Sequence, residues 1–240
     1  MPYSNANDYA YFFANNIYWV LLIPVFILSI WAQIQVSGSF RRYNAVNNRR
    51  HMTGAEAARA VLQAHGVFDV EIRRIGGNLT DNYNPRDNTI YLSETVYDAP
   101  TIAAVGVACH EAGHAVQYAE GYGPVRLRSA IVPATKFSSQ VSFLLLIIGL
   151  FLYSQTMFLV GIVLFAVTTF FQLVTLPVEF NASSRAIRAL NDAGILYPDE
   201  LEGAKKVLRA AAMTYLAASF TALLTLLRLL LLASNRRGRR

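Results

Sequence analysis

Residues 110–114 read His-Glu-Ala-Gly-His. On an α-helix, side chains at i and i+4 stand one above the other, so His110 and His114 share a face and can grip one ion together. Glu111 sits about 100° round the helix and is left free to act on water held at that ion. Two imidazoles and a carboxylate in this order are the pattern of a zinc hydrolase, with one catalytic Zn2+ and Glu111 as general base. Two histidines do not complete such a centre. A catalytic zinc takes three protein ligands and keeps one position for solvent.

The third ligand has to come from elsewhere in the chain. Leu176-Pro177-Val178-Glu179 predicts a helix initiated by Pro177, with Glu179 in its first turn. A carboxylate there is also what a helix dipole favours, so the residues alone leave two readings: a metal ligand, or an amino-terminal helix charge. Cys109 adjoins His110 but is turned about 100° off the ligand face, and reads as a small buried residue. As the single cysteine it forbids an internal disulfide. For an oxyanion-stabilising group, Tyr118, Tyr215 and several arginines are all open.

The elements that must position these groups lie in a membrane. The 240 residues are 54% hydrophobic and 15% charged, with mean hydropathy +0.33, too apolar for an ordinary soluble domain of this length. Residues 17–36 carry no formal charge and are long enough to cross about 30 Å of hydrocarbon as a retained first span. Residues 141–176 would run about 54 Å as one helix, so a hairpin is expected, broken at Tyr153-Ser154-Gln155-Thr156 and beginning near Phe137. A fourth apolar helix covers 210–227 and is followed by Arg228, which must snorkel, pair or face protein.

Arginine and lysine flank the spans on one side: Arg41 and Arg42, Arg126 and Arg128, Arg185 and Arg188, Lys205 and Lys206. The positive-inside rule makes those flanks cytoplasmic. The basic tail at 236, 237, 239 and 240 disagrees; either it is tolerated outside or the fourth helix does not cross. The net charge of +6, spread along membrane flanks, suits anionic lipid headgroups rather than nucleic acid. The sequence carries no signal for oligomeric state.

Between the first span and the hairpin the texture is globular. Thr53-Gly-Ala-Glu56 is a capping box opening a helix that should end at Gly66, where His65 is a helix-end residue. Residues 68–75 and 89–92 alternate as strands, with turn residues at Gly76-Gly77 and Asn84-Pro85-Arg86-Asp87 between them. The HExxH helix is expected to start near Asp98-Ala99-Pro100, capped by Asp98, and to stop at Gly121. Its packing face is Ile102, Val105, Ala108 and Ala112.

The segments HEAGHAVQYAEGY (110–122), LPVEFNASSRA (176–186), LTDNYNPRDNTIYLS (79–93) and GAKKVLRAAAMTYLAA (203–218) resemble the YugP-like neutral zinc metallopeptidases of bacteria, over nearly the whole chain. More remotely the plan is similar to the HtpX and CAAX-prenyl-protease group, whose pattern Glu-x-x-Ala-Asp closes the zinc site. On that pattern Glu179 falls on the ligand, Ala182 on the alanine and Ser183 on the aspartate that would orient a histidine. The resemblance therefore implies His110, His114 and Glu179 as metal ligands and a mainly α fold with a small β-sheet. The implied protein is a multi-span membrane protein carrying a zincin-like (gluzincin) core, a zinc-dependent endopeptidase of the bacterial cytoplasmic membrane with its active site facing the cytoplasm. Its partners would be protein or peptide substrates, membrane proteins among them, and the lipid bilayer.

The organisation expected is an amino-terminal segment with the first span (1–36) and a cytosolic part with the sheet and HExxH helix (37–136). A transmembrane hairpin (137–176), a third-ligand helix with its connection (177–209), and a fourth apolar helix with the basic tail (210–240) follow. An extended substrate could add to a sheet edge at 79–83 or 89–92. Two rivals remain. A site-2-type intramembrane protease would draw a later aspartate ligand from a span, for which the chain has only Asn191-Asp192-Ala193-Gly194 in a polar stretch. A membrane adaptor with a structural zinc would need a fourth protein ligand, and neither His51 nor His65 is spaced for it.

Overall fold

The computed structural model describes the backbone of residues 6–237 and the side chains of 22–234. The first five residues and the tail residues Arg239 and Arg240 lie outside the described residues. Seven helices and one small sheet follow in the order α1 (Ala6–Asn44), α2 (Gly54–Ala64), β1 (Glu71–Ile75), β2 (Asn82–Asn84), β3 (Thr89–Ser93), α3 (Glu94–Tyr97), α4 (Ile102–Ala119), α5 (Gly123–Phe151), α6 (Gln155–Asp192) and α7 (Pro198–Arg237). The protein is mainly α, and four of its helices, α1, α5, α6 and α7, are long and apolar enough to cross a membrane.

These four helices overrun the apolar stretches that predict them. α5 starts at Gly123 rather than near Phe137, and α7 at Pro198 rather than Ala210. Hydropathy marks only the lipid-suited part of a helix, whereas the hydrogen-bonded ladder continues wherever the next residues have a surface to pack on. α6 passes through Pro177 without a break, so Pro177 does not initiate a helix. Packing overrides the local cost of proline, and Glu179 stands in mid-helix, where an amino-terminal dipole charge is no explanation for it.

The chain forms two compact units. One comprises 1–31, 131–173 and 216–240; the other 32–130 and 174–215. In the first, the α5–α6 hairpin turns at the polar cluster expected, with Tyr153 at φ +54° and Ser154 Oγ accepting the Met157 N–H at 3.4 Å. Small residues bring the two arms together. A Cβ on Gly149 would stand 2.6 Å from the Phe158 nitrogen, and one on Gly161 2.8 Å from Leu146 Cγ, the close approach that membrane helices use for packing.

The second unit has α4 as its central helix. α2 opens with the Thr53–Glu56 capping box and closes at Gly66, φ +68°. The sheet has order β1-β3-β2, β1 parallel to β3 and β2 antiparallel to it. α4 is capped by Thr101, whose Oγ1 accepts the Ala104 N–H at 3.2 Å, and not by Asp98, which ends the short helix α3. Pro100 disfavours helical backbone at the residue before it. Its carbonyl is also taken by Asn48, through both backbone N–H and Nδ2 at 2.8 Å, so the helix can begin only afterwards. It ends ahead of Gly121, φ +69°, as expected.

Ile102, Val105, Ala108 and Ala112 are buried, together with Val61, Ile90, Leu190 and Leu208 from the surrounding elements. Gly113, inside the HExxH motif, faces α6: a Cβ there would lie 2.7 Å from the Ala182 carbonyl oxygen. Gly113→Ala should therefore lower stability by about 1–3 kcal/mol despite the helix propensity it gains. Thermal unfolding of the detergent-solubilised protein measures this, and an unchanged midpoint would mean that the two helices do not approach so closely.

Candidate metal centre

α4 presents His110 and His114 one turn apart, their rings 4.7 Å between centroids and nearly perpendicular. α6 brings Glu179 against both: its Oε2 lies 3.3 Å from His110 Nε2 and 3.6 Å from His114 Nε2. One potential ligand atom from each of the three falls within 4.8 Å of the others. Ligands placed about 2.0–2.2 Å from a tetrahedral ion stand about 3.3–3.6 Å apart, so the two nitrogen–oxygen spacings suit zinc. Glu179 is 2% exposed, which makes an uncompensated charge there costly.

The far nitrogens of the imidazoles are engaged. His114 Nδ1 lies 3.0 Å from Gln117 Oε1. Gln117 Nε2 donates to the Val178 carbonyl and to Asn181 Oδ1, both at 2.9 Å. With its amide group committed to α6, Gln117 can only accept from His114, which puts the proton on Nδ1 and a lone pair on Nε2. His110 Nδ1 similarly meets Ser183 Oγ at 3.1 Å. Two imidazole nitrogens and a carboxylate oxygen brought this close are a donor set that could hold a metal ion.

Glu111 lies beside this group, one Oε2 accepting the Tyr83 N–H of β2 at 2.9 Å. Burial pushes its carboxyl up to about 7, opposed by the adjacent His110, reinforced by Glu179 and Asp81, and opposed again by the Tyr83 N–H. A carboxyl tuned there exchanges protons readily near neutral pH. Arg128 Nη1 approaches the other oxygen of Glu179 at 3.5 Å. A cavity of about 190 Å³ opens on His110, Glu111 and Glu179, with Tyr215 in its wall.

Gln117, Arg128 and the Tyr83 amide were not singled out in the sequence. Gln117 alone had a signal, a polar residue one turn after His114 in an otherwise apolar helix. The other two are set by tertiary approach. Cys109 is fully buried and burial raises its thiol, as a small core residue should. His65 Nδ1 bonds the Val61 carbonyl at 2.9 Å. Asp192 is exposed, and α4 is not one of the four helices apolar enough to cross a membrane, both against a site-2-type arrangement. Of the two docking edges expected, 89–92 belongs to the central strand and is paired on both sides, so it is not available to a substrate.

Residues 18–234 match the model of the family described as "Putative neutral zinc metallopeptidase". The chain belongs to that family. It is 44% identical over 217 residues to the "Putative membrane protease YugP" of Bacillus subtilis (strain 168), an alignment covering 90% of this chain and 96% of that protein. No solved structure matches the chain. The motif resemblance and the family agree, and for this zinc metallopeptidase family member zinc is the ion implied.

The Gln117 network yields a test of its own. Gln117→Leu should weaken zinc binding about 10- to 100-fold by freeing the His114 ring, read by titration against a competing chelator. Equal affinity would show that the network does not hold the imidazole.

Proposed function

We propose that this protein is a membrane-embedded zinc-dependent endopeptidase, with His110, His114 and Glu179 holding one Zn2+ and Glu111 as general base. The observation that carries this reading is one buried carboxylate oxygen at 3.3 and 3.6 Å from two imidazole Nε2 atoms, beside the Glu111 carboxyl and an open cavity. Zinc bound there supplies Lewis acidity, polarising a peptide carbonyl and lowering the pKa of a water. Glu111 takes the proton of the attacking water and delivers it to the departing amine. Its hydrogen bond to Tyr83 leaves the other oxygen free for that exchange and fixes the direction in which it points.

Tyr215 is the group assigned to the developing oxyanion, because among the candidates it lines the same cavity as Glu111. Tyr118 is engaged by the Ser129 hydroxyl; Arg128 and Tyr215 both lie against Glu179, and of the two Tyr215 is the one that lines the cavity. An extended peptide fits beside Leu79 and Asp81, which continue the outer edge of β2 into the cavity wall. The basic flanks around 41–50, 126–136, 185–188 and 205–209 favour a site at the cytoplasmic face of the bacterial cell membrane, with membrane proteins and membrane-proximal segments among its substrates. The adaptor reading would need a fourth protein ligand. Among the described residues the converging group has three.

Glu111→Gln should retain zinc and lose proteolysis, whereas Glu179→Ala should lose stoichiometric zinc. Metal analysis and a casein-type cleavage assay on the purified proteins decide both; full cleavage by Glu111→Gln would remove the general base, and unchanged zinc in Glu179→Ala would move the third ligand elsewhere. Tyr215→Phe should lower kcat about 100-fold with little change in KM. An equal loss confined to KM would assign Tyr215 to substrate binding instead.

A further inference from the structure

The cavity beside Glu111 and Glu179 is small and one-sided in its chemistry. At about 190 Å³ it is below the roughly 300 Å³ at which small-molecule pockets begin, room for one side chain rather than a folded ligand. Its walls beyond the proposed ligands and base are Val36 and Phe40 of α1, Val107 of α4, and Val207, Leu208 and Ala211 of α7. The remaining polar lining is committed or assigned. Ser183 meets the His110 ring, Tyr215 faces the reacting carbonyl in the reading above, and Asp81 Oδ1 accepts both the Ser93 N–H at 2.7 Å and the Ser93 hydroxyl at 3.0 Å.

An anionic side chain entering this recess would shed its hydration against the carboxylates of Asp81, Glu111 and Glu179, and a long cationic one would leave its stem and head among mostly apolar walls. An aliphatic one would gain by burial. A second groove of about 420 Å³ shares Phe40 and Leu79 with the recess and is lined also by Ser37, Asn44, Asn78 and Thr95.

We propose that the recess is a specificity pocket for one aliphatic side chain flanking the scissile bond, so that cleavage falls next to leucine, isoleucine, valine or methionine, with Val207 and Ala211 setting the size accepted. This rests on the endopeptidase reading. The peptide enters with its aliphatic side chain between α1 and α7, and its further residues follow the groove past Phe40 and Leu79.

The test uses the zinc-loaded full chain in detergent. A mixed peptide library, with its products sequenced, first locates the bond cleaved; peptides differing only in the flanking residue then give ratios of kcat/KM. Leucine is expected to exceed alanine, lysine and aspartate about tenfold or more. Ala211→Leu should lower the leucine-to-alanine ratio about tenfold, and Val207→Ala should raise the ratio of phenylalanine to leucine. Ratios within one preparation are unaffected by a misfolded fraction, and either variant alone suffices. As a readout without turnover, a fluorescein-labelled leucine peptide should bind Glu111→Gln protein more tightly than its lysine counterpart in fluorescence polarisation. Cleavage without aliphatic preference, a preference for lysine, or ratios unmoved by the variants that fold would overturn the pocket and leave the protease standing. Zinc-loaded protein that cleaves no peptide would overturn both.

Discussion

A nearly fully buried carboxylate oxygen of Glu179 faces two imidazole nitrogens at 3.3 and 3.6 Å, and the packing of the second unit is what brings the three groups together. A buried carboxylate and an imidazole lone pair repel in a low-dielectric interior unless positive charge lies between them. At His114 the surrounding hydrogen bonds set which nitrogen carries the proton. Gln117, with its amide group spent on Val178 and Asn181, can offer His114 only an acceptor. A metal ion held by this group, as proposed above, would require α4 and α6 to stay at fixed distance and rotation.

That distance is set by the absence of a side chain. Gly113 lets the Ala182 carbonyl come within what would be 2.7 Å of a Cβ. Small residues therefore do for the second unit what Gly149 and Gly161 do for the α5–α6 hairpin. They let helix backbones approach, and polar groups then meet across the contact. Gln117 is the clearest case, buried and bonded to two residues of α6 while holding a ring on α4.

The small sheet contributes less to the core than to aim. β2 is its edge beside α4, and the Tyr83 N–H that would otherwise point to solvent bonds Glu111. Asp81, just before β2, is tied to Ser93 at the end of β3. The edge, the carboxyl and the cavity wall are thus fixed together, which is the preorganisation an acid–base group needs if it is to act without rearranging.

Local spacing was enough for the HExxH face, the Thr53 capping box, the turn at Tyr153–Ser154, the glycine ends at Gly66 and Gly121, and the four apolar helices, because each depends on neighbours within a turn or on average hydropathy. Glu179 was legible only as one of two readings, and the helix start imagined at Pro177 was wrong because packing carries α6 through the proline. The cap at Thr101 instead of Asp98 depended on Asn48, about 50 residues away in sequence, taking the Pro100 carbonyl. Which carboxylate meets the imidazoles, which hydroxyl and amide orient them, and which apolar residues wall the cavity are long-range coincidences of position. No periodicity encodes them; they exist only once α4, α6 and α7 have packed, α4 and α6 at the separation that Gly113 allows.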